Sequence, residues 1–333
     1  MTISLLSILN SIKLPELDQN TEFNYYVKSI PGFEKHYFGK IGSGEPTLLL
    51  SSKDRSVKTP VKLTELEVCF SVPCDISNKD GLHSTEIFTS ISCKSKDPNL
   101  QKYYIHICET ILRIIGTSPT IDQIENAVER LIHLFQKLNY PPVRSLVGLF
   151  GELFTINVAK SPELAVQAWR NKIDERFDFS IADVRLEVKT TSNRKRTHEF
   201  SLEQCQPPIN TIGILVSLCV ETSGGGLSIR ELIERIENQI GSNPELQFKF
   251  KETLVESLGS NILSALSMRF DENIARSSLK IYEIDSIPTV CKIFPDEVSK
   301  VRFNSDLSKL LSANRIHLEN KSTILDKILP VDL

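Results

Sequence analysis

The chain has 333 residues, 40% of them hydrophobic and 24% charged, which suits two or three packed units and excludes wholesale disorder. Thirty-nine basic against 42 acidic residues leave a net charge of −3, which excludes a histone-like polycation but not a local basic patch. No apolar run approaches the ~20 residues needed to cross a bilayer, and the opening segment lacks a basic leader, so a cytoplasmic protein with no membrane partner is expected.

The first 140 residues carry short extended runs at 24–28, 37–40, 46–51, 65–72 and 86–93. Turn formers such as Gly42-Ser43-Gly44 and Asn78-Lys79-Asp80-Gly81 separate them. This predicts an N-terminal β-rich accessory domain, residues 1–140, that ends in helices. Residues 103–115 fit a strand or a helix equally. Ser118-Pro119-Thr120 then opens a helix to Leu138, with Ile121, Ile124, Val128, Leu131, Leu134 and Phe135 on one stripe.

Pro141-Pro142 punctuate the chain and open a second unit, residues 141–226. Its first element reads as a helix over 143–159, apolar around most of its circumference. Two short strands, a short helix and an apolar strand at 211–220 follow, and Ser223-Gly224-Gly225-Gly226 marks the expected end. A C-terminal accessory region, 227–333, is expected to be mostly helical, with helices at 228–240 and 244–257. An extended pair at 278–284 and 289–294 follows, then a helical tail near 305–313. The seven cysteines form no C-x-x-C pair and the six histidines no zinc-binding pair, so reduced, mostly buried thiols are expected.

The segment Arg176-Phe177-Asp178-Phe179-Ser180-Ile181-Ala182-Asp183-Val184-Arg185-Leu186-Glu187-Val188-Lys189-Thr190 carries the chemistry. Apolar residues alternate at 177, 179 and 181, and again at 184, 186 and 188, the period of strands with one buried face. With Ala182-Asp183 as a two-residue loop, Phe179 faces Leu186 and Asp178 faces Glu187. Opposed Cβ atoms lie about 4.5–5.5 Å apart and like charges there repel. Arg185 and Lys189 share the face. Two readings are open: a solvated strand face with incidental ion pairs, or a site where Asp178 and Glu187 bind Mg²⁺ beside a catalytic lysine.

Three neighbours bear on the choice. Glu152 interrupts the apolar helix, where burial is expensive without a compensating group; a partly exposed position is the alternative. A basic loop follows the hairpin, giving five basic residues against one acid between Arg185 and His198. Arg194, Lys195 and Arg196 there are placed to hold phosphates, and His198 to contact phosphate or cap the loop. Ser201-Leu202-Glu203-Gln204 opens the next helix, with Gln204 either a site residue or the partner of Ser201 in a capping box.

The order of helix with Glu152, strand with Asp178, strand with Glu187-Val188-Lys189, helix with Gln204 and apolar strand resembles the PD-(D/E)XK nuclease superfamily. The wording from Asp178-Phe179-Ser180 through Arg185-Leu186-Glu187-Val188-Lys189-Thr190-Thr191 to His198-Glu199-Phe200-Ser201-Leu202-Glu203-Gln204 is similar to a bacterial group of that superfamily. Members of that group are found in phage-defence and restriction loci. The resemblance covers about a quarter of the chain, from Val143 to Val220, and Phe177 stands where the pattern has proline. It implies an α+β fold with a mixed α/β, restriction-endonuclease-like core. It also implies that Asp178 and Glu187 bind metal, that Lys189 is catalytic, that Glu152 completes the metal site, and that Gln204 touches the scissile region.

The resulting expectation is a Mg²⁺-dependent DNA endonuclease, with Mn²⁺ as a substitute and Arg185, Arg194, Lys195, Arg196, His198 and Ser201 on the DNA side. A homodimer, or further subunits of a defence or restriction system, would be its partners. The rival is a nuclease-like module without catalysis that binds DNA or a partner. Retaining glycoside hydrolysis by the opposed carboxylates is a remote third, since Trp169 is the one tryptophan and no aromatic-rich groove is legible.

Overall fold

The computed structural model describes residues 4–13, 25–77, 83–138, 140–142, 144–171, 176–290 and 297–330. The chain is mixed α+β and divides into two units, Met1–Pro141 and Pro142–Leu333.

The first unit begins with helix α1 (Leu5–Asn10). A six-stranded antiparallel sheet follows, made of β1 (Tyr25–Ile30), β2 (Phe33–Ile41), β3 (Pro46–Ser51), β4 (Val61–Lys62), β5 (Leu66–Ser77) and β6 (His83–Cys93), ordered β1-β2-β3-β6-β5-β4. The expected sheet module is therefore present; the turn read at 78–81 lies outside the described residues. Residues 103–115 resolve as helix within α2 (Pro98–Ile115), because Asp97 caps the first turn and Pro98 opens it. Helix α3 (Ile121–Lys137) starts at a capping box between Thr120 and Gln123, and Ile124, Val128, Leu131, Leu134 and Phe135 are buried as the stripe predicts.

The second unit opens with α4 (Leu146–Val158), capped by Ser145, and α5 (Pro162–Ala168). Strands β7 (Phe179–Ile181) and β8 (Val184–Thr191) pair antiparallel as Phe179 with Leu186, Ser180 with Arg185 and Ile181 with Val184. This is the register read from the sequence. Ala182 supplies the positive φ, 45°, that a tight hairpin asks of its first loop residue, standing where glycine is usual. Strand β7 is shorter than the alternation suggests. Phe177 lies before it in a bend and packs with Phe200, Leu215 and Tyr282.

Beyond β8 the chain forms β9 (Thr197–Ser201), a short 3-10 turn (Leu202–Cys205) and β10 (Ile212–Cys219). The basic loop expected over 191–198 therefore gives way to strand from Thr197, and the alternation His198-in, Phe200-in is its signal. Next come β11 (Thr222–Ser228), α6 (Ile229–Gln239), α7 (Pro244–Leu258), α8 (Ile262–Ala265), β12 (Arg269–Phe270), α9 (Glu272–Ser278) and β13 (Lys280–Glu283). Strand β14 (Arg302–Asp306), α10 (Arg315–Glu319) and α11 (Thr323–Ile328) close the unit.

The four-stranded sheet runs β13-β10-β8-β7, with β10 parallel to β8 and β13 antiparallel to β10. Residues 227–333, expected as a separate accessory region, instead belong to this unit, because β13 completes the sheet beside β10. The glycine run expected to end the unit at 226 lies inside β11, which pairs with β12. The helical tail expected near 305–313 is corrected too: 302–306 is a strand that pairs with β9. Of the extended pair, 280–283 is β13, whereas 291–296 lies outside the described residues.

One face of the sheet is covered by α4. At Gly151 the helix comes so close to β8 that a Cβ would stand 1.8 Å from Thr190 Oγ1. The other face carries Glu187, Leu215 and Tyr282 and lies under the β9–β14 ribbon, with Phe200, Phe303 and Leu307 packed against it. The face that the sequence presents as surface is therefore largely enclosed. The thiols of Cys74, Cys93 and Cys108 are buried and none of the described cysteines is in a disulfide; Cys291 lies outside the described residues.

Candidate active site

Three buried carboxylates flank the β7–β8 hairpin. Glu152 comes from α4, Asp178 from the residue before β7 and Glu187 from β8, and they are 2%, 2% and 3% exposed. The solvated-face reading does not survive that burial, since isolated charges at such positions need partners.

The partners are specific. Arg170 donates through Nε and Nη2 to Glu152 Oε2 at 2.9 and 2.8 Å, and through Nη2 to Oε1 at 2.7 Å. Trp169 Nε1 adds a bond to Oε2 at 2.8 Å. The same Arg170 Nη2 reaches Asp178 Oδ1 at 2.8 Å, and Arg144 Nη2 reaches that oxygen at 3.4 Å. Asp178 Oδ2 accepts the Val188 main-chain N–H at 2.9 Å.

Glu187 is held on one oxygen only. Its Oε1 accepts from Gln204 Nε2 at 2.6 Å and pairs with Lys189 Nζ at 2.9 Å, while the buried Oε2 has no hydrogen-bond partner. Burial, then the negative Asp178, push the Glu187 carboxyl up to about 7, against the pull of Lys189. Burial also raises Glu152, with Asp178 adding to it and Arg170 opposing.

Lys189 sits two residues beyond Glu187 on the same face of β8, 5.3 Å above the Phe200 ring. Its Nζ also donates to Gln204 Oε1 at 3.2 Å. That oxygen accepts the Ser201 N–H, and Ser201 Oγ accepts the Gln204 N–H, so the capping box is real. Gln204 thus closes the capping box and also bridges Glu187 and Lys189.

The basic segment divides. Arg194 is exposed, paired with Glu221, and Lys195 is exposed as well. Arg196 is not on the surface: it is buried, with Nη1 on Ser217 O and Oγ and Nη2 on Ser278 O. His198 is buried against Ser217 Oγ at 2.8 Å, and burial, with Lys189 and Arg196, pulls it down to about 4, so it is neutral. Both pin β9 to β10 rather than line an open loop. Arg185 donates Nη1 to the Ala182 and Val184 carbonyls and stabilises the hairpin turn. Ser201 is the cap already described.

Sequence reasoning missed Arg144, Arg170 and Trp169. The need for a partner was legible in Glu152 and candidate cations stand between it and Asp178, but α5, which brings Arg170 back, was not read.

A divalent ion fits part of this donor set. Among the described residues no three carboxylate, histidine or cysteine side chains converge to hold an ion. Two do offer open acceptor positions, Glu187 Oε2 and the second lone pair of Asp178 Oδ2, and hard oxygens in that number suit Mg²⁺. Glu152, expected as the third ligand, has both oxygens engaged by Arg170 and Trp169.

A family model described as "Putative PD-(D/E)XK family member, (DUF4420)" matches residues 27–308. The match extends on both sides of the segment whose motifs carry the resemblance. No curated protein and no solved structure matches the chain.

Proposed function

The chain belongs to this PD-(D/E)XK family, from a superfamily whose members are generally nucleases, and on that premise we propose that it is a Mg²⁺-dependent DNA endonuclease of a restriction or phage-defence system. The observation that carries the reading is the buried, partnerless Glu187 Oε2 beside Asp178 and Lys189. Asp178 and Glu187 would hold the ion, which when bound would polarise a phosphoryl oxygen and lower the pKa of a coordinated water. Lys189 Nζ, set by Glu187 and Gln204, would orient the attacking water and stabilise charge on phosphorus. Water would add to phosphorus as the bond to the 3′ oxygen breaks, leaving 5′-phosphate and 3′-hydroxyl ends, the outcome the family resemblance implies.

Arg144 is a candidate phosphate contact, since its side chain is 40% exposed at the rim and makes one long bond to Asp178. Arg194 and Lys195 remain available for backbone phosphates. The experiment is Mg²⁺-dependent cleavage of duplex DNA by wild type and Lys189→Ala. Loss of cleavage in a folded variant supports the proposal, and equal cleavage removes it.

One observation favours a second reading, a DNA- or partner-binding module without catalysis. Arg144, Arg170 and Lys189 match the three acids in number, so the cluster is balanced without a metal. Calorimetric titration with Mg²⁺ separates the two: no binding even with DNA present favours the module.

A further inference from the structure

The acidic cluster is asymmetric. On one side Arg170 contacts both Glu152 oxygens and Asp178 Oδ1, and Trp169 takes a further position on Glu152. Arg170 is held at its other end as well, because its main-chain N–H donates to the Asp178 carbonyl at 3.0 Å. Its φ of 45° is the left-handed region, which a non-glycine residue adopts at a cost, so the turn is set to aim this side chain. Trp169 bridges to Phe179, which fixes the turn against the start of β7. On the other side, among the described residues, Glu187 Oε2 is buried and unpartnered and Asp178 Oδ2 carries a single bond.

We propose that Arg170 is a built-in cation that occupies the position between Glu152 and Asp178 and keeps a divalent ion out of it. The centre then takes one divalent ion, on Asp178 and Glu187, and Glu152 is a positioning residue that holds Arg170, not a metal ligand. A guanidinium suits this task, since its planar fork binds a carboxylate bidentately and stays charged at all working pH values. A dication placed between Glu152 and Asp178 would meet that fixed charge at close range, whereas one at Glu187 Oε2 would satisfy a bare oxygen. The inference rests on the metal-dependent reading above.

The test is Mn²⁺ alone, titrated into the full chain without DNA and followed by the paramagnetic resonance of free Mn²⁺ and by calorimetry. Wild type and Glu152→Gln are expected to bind a single ion with affinities within about threefold, and Glu187→Gln to lose it. Glu152→Gln keeps one acceptor oxygen for Trp169 and Arg170 and gives up the acceptor at Oε1, and it preserves the side chain's size, so it tests the ligand role without emptying the pocket. Two ions in wild type, or an affinity about tenfold or more weaker in Glu152→Gln, would overturn the inference while leaving a metal enzyme. A wild type that binds no Mn²⁺ with or without duplex DNA would remove the metal reading itself, and the inference with it.

Discussion

Gln204 Nε2 donates to Glu187 Oε1 at 2.6 Å while Gln204 Oε1 accepts from Lys189, so one amide holds the acid and the lysine together. The two functions of Gln204 can be parted. Gln204→Glu keeps an acceptor for the Ser201 N–H and so preserves the cap, but loses the donor to Glu187 and adds a repelling carboxylate. Thermal stability is expected to change little, while cleavage falls and the pH profile moves upward. Gln204→Ala is expected to lower stability by about 1 kcal/mol through the lost cap. A Gln204→Glu enzyme with an unchanged pH profile would reduce the residue to a cap.

Arg170 holds Glu152 in the interior. Arg170→Met leaves that carboxylate buried without its counter-ion, a change expected to cost roughly 3–5 kcal/mol in urea denaturation. The double variant with Glu152→Gln should recover much of the loss, because a neutral amide no longer needs the cation. Unchanged stability in Arg170→Met would mean that the pair contributes nothing.

The Glu187 carboxyl, raised to about 7, gives the site a pH dependence of definite sign. The folded chain keeps a proton that the unfolded chain releases near the ordinary Glu value. Metal-free stability from this group is therefore full at low pH and is lost as pH rises towards about 7. A cation competes with that proton for Glu187, so Mn²⁺ affinity should rise with pH and level off above about 7. Calorimetric titrations across that window check this, and Glu187→Gln should abolish both slopes.

Gly151 sets the approach of α4 to β8. Gly151→Ala would force a methyl against Thr190, with an expected loss of about 1–3 kcal/mol from overpacking. Thr190→Ala should restore part of it in a double-mutant cycle followed by chemical denaturation.

The hairpin and its register were legible because side-chain alternation fixes pairing once the two-residue loop is placed. Glu152 was legible as a conflict, a charge inside an apolar helix. What stayed hidden depends on contacts distant in sequence. Arg170 reaches the site through a turn after α5, and Arg144 from before the α4 cap. Arg196 and His198 look like a basic loop in sequence, yet the pairing of β9 with β14, about a hundred residues on, turns them inward. The same long-range pairing explains why the acids, read as a surface, are enclosed.

Asp178 and Glu187 are expected to share one ion beside Lys189. The most direct measurement is the anomalous scattering of Mn²⁺ in crystals of the full chain soaked with that ion. A peak is expected within coordination reach, roughly 2.0–2.3 Å, of one oxygen from each of these two acids, with Glu152 still on Arg170. Active enzyme whose crystals place the ion elsewhere, or on Glu152 with Arg170 displaced, would contradict the shared site.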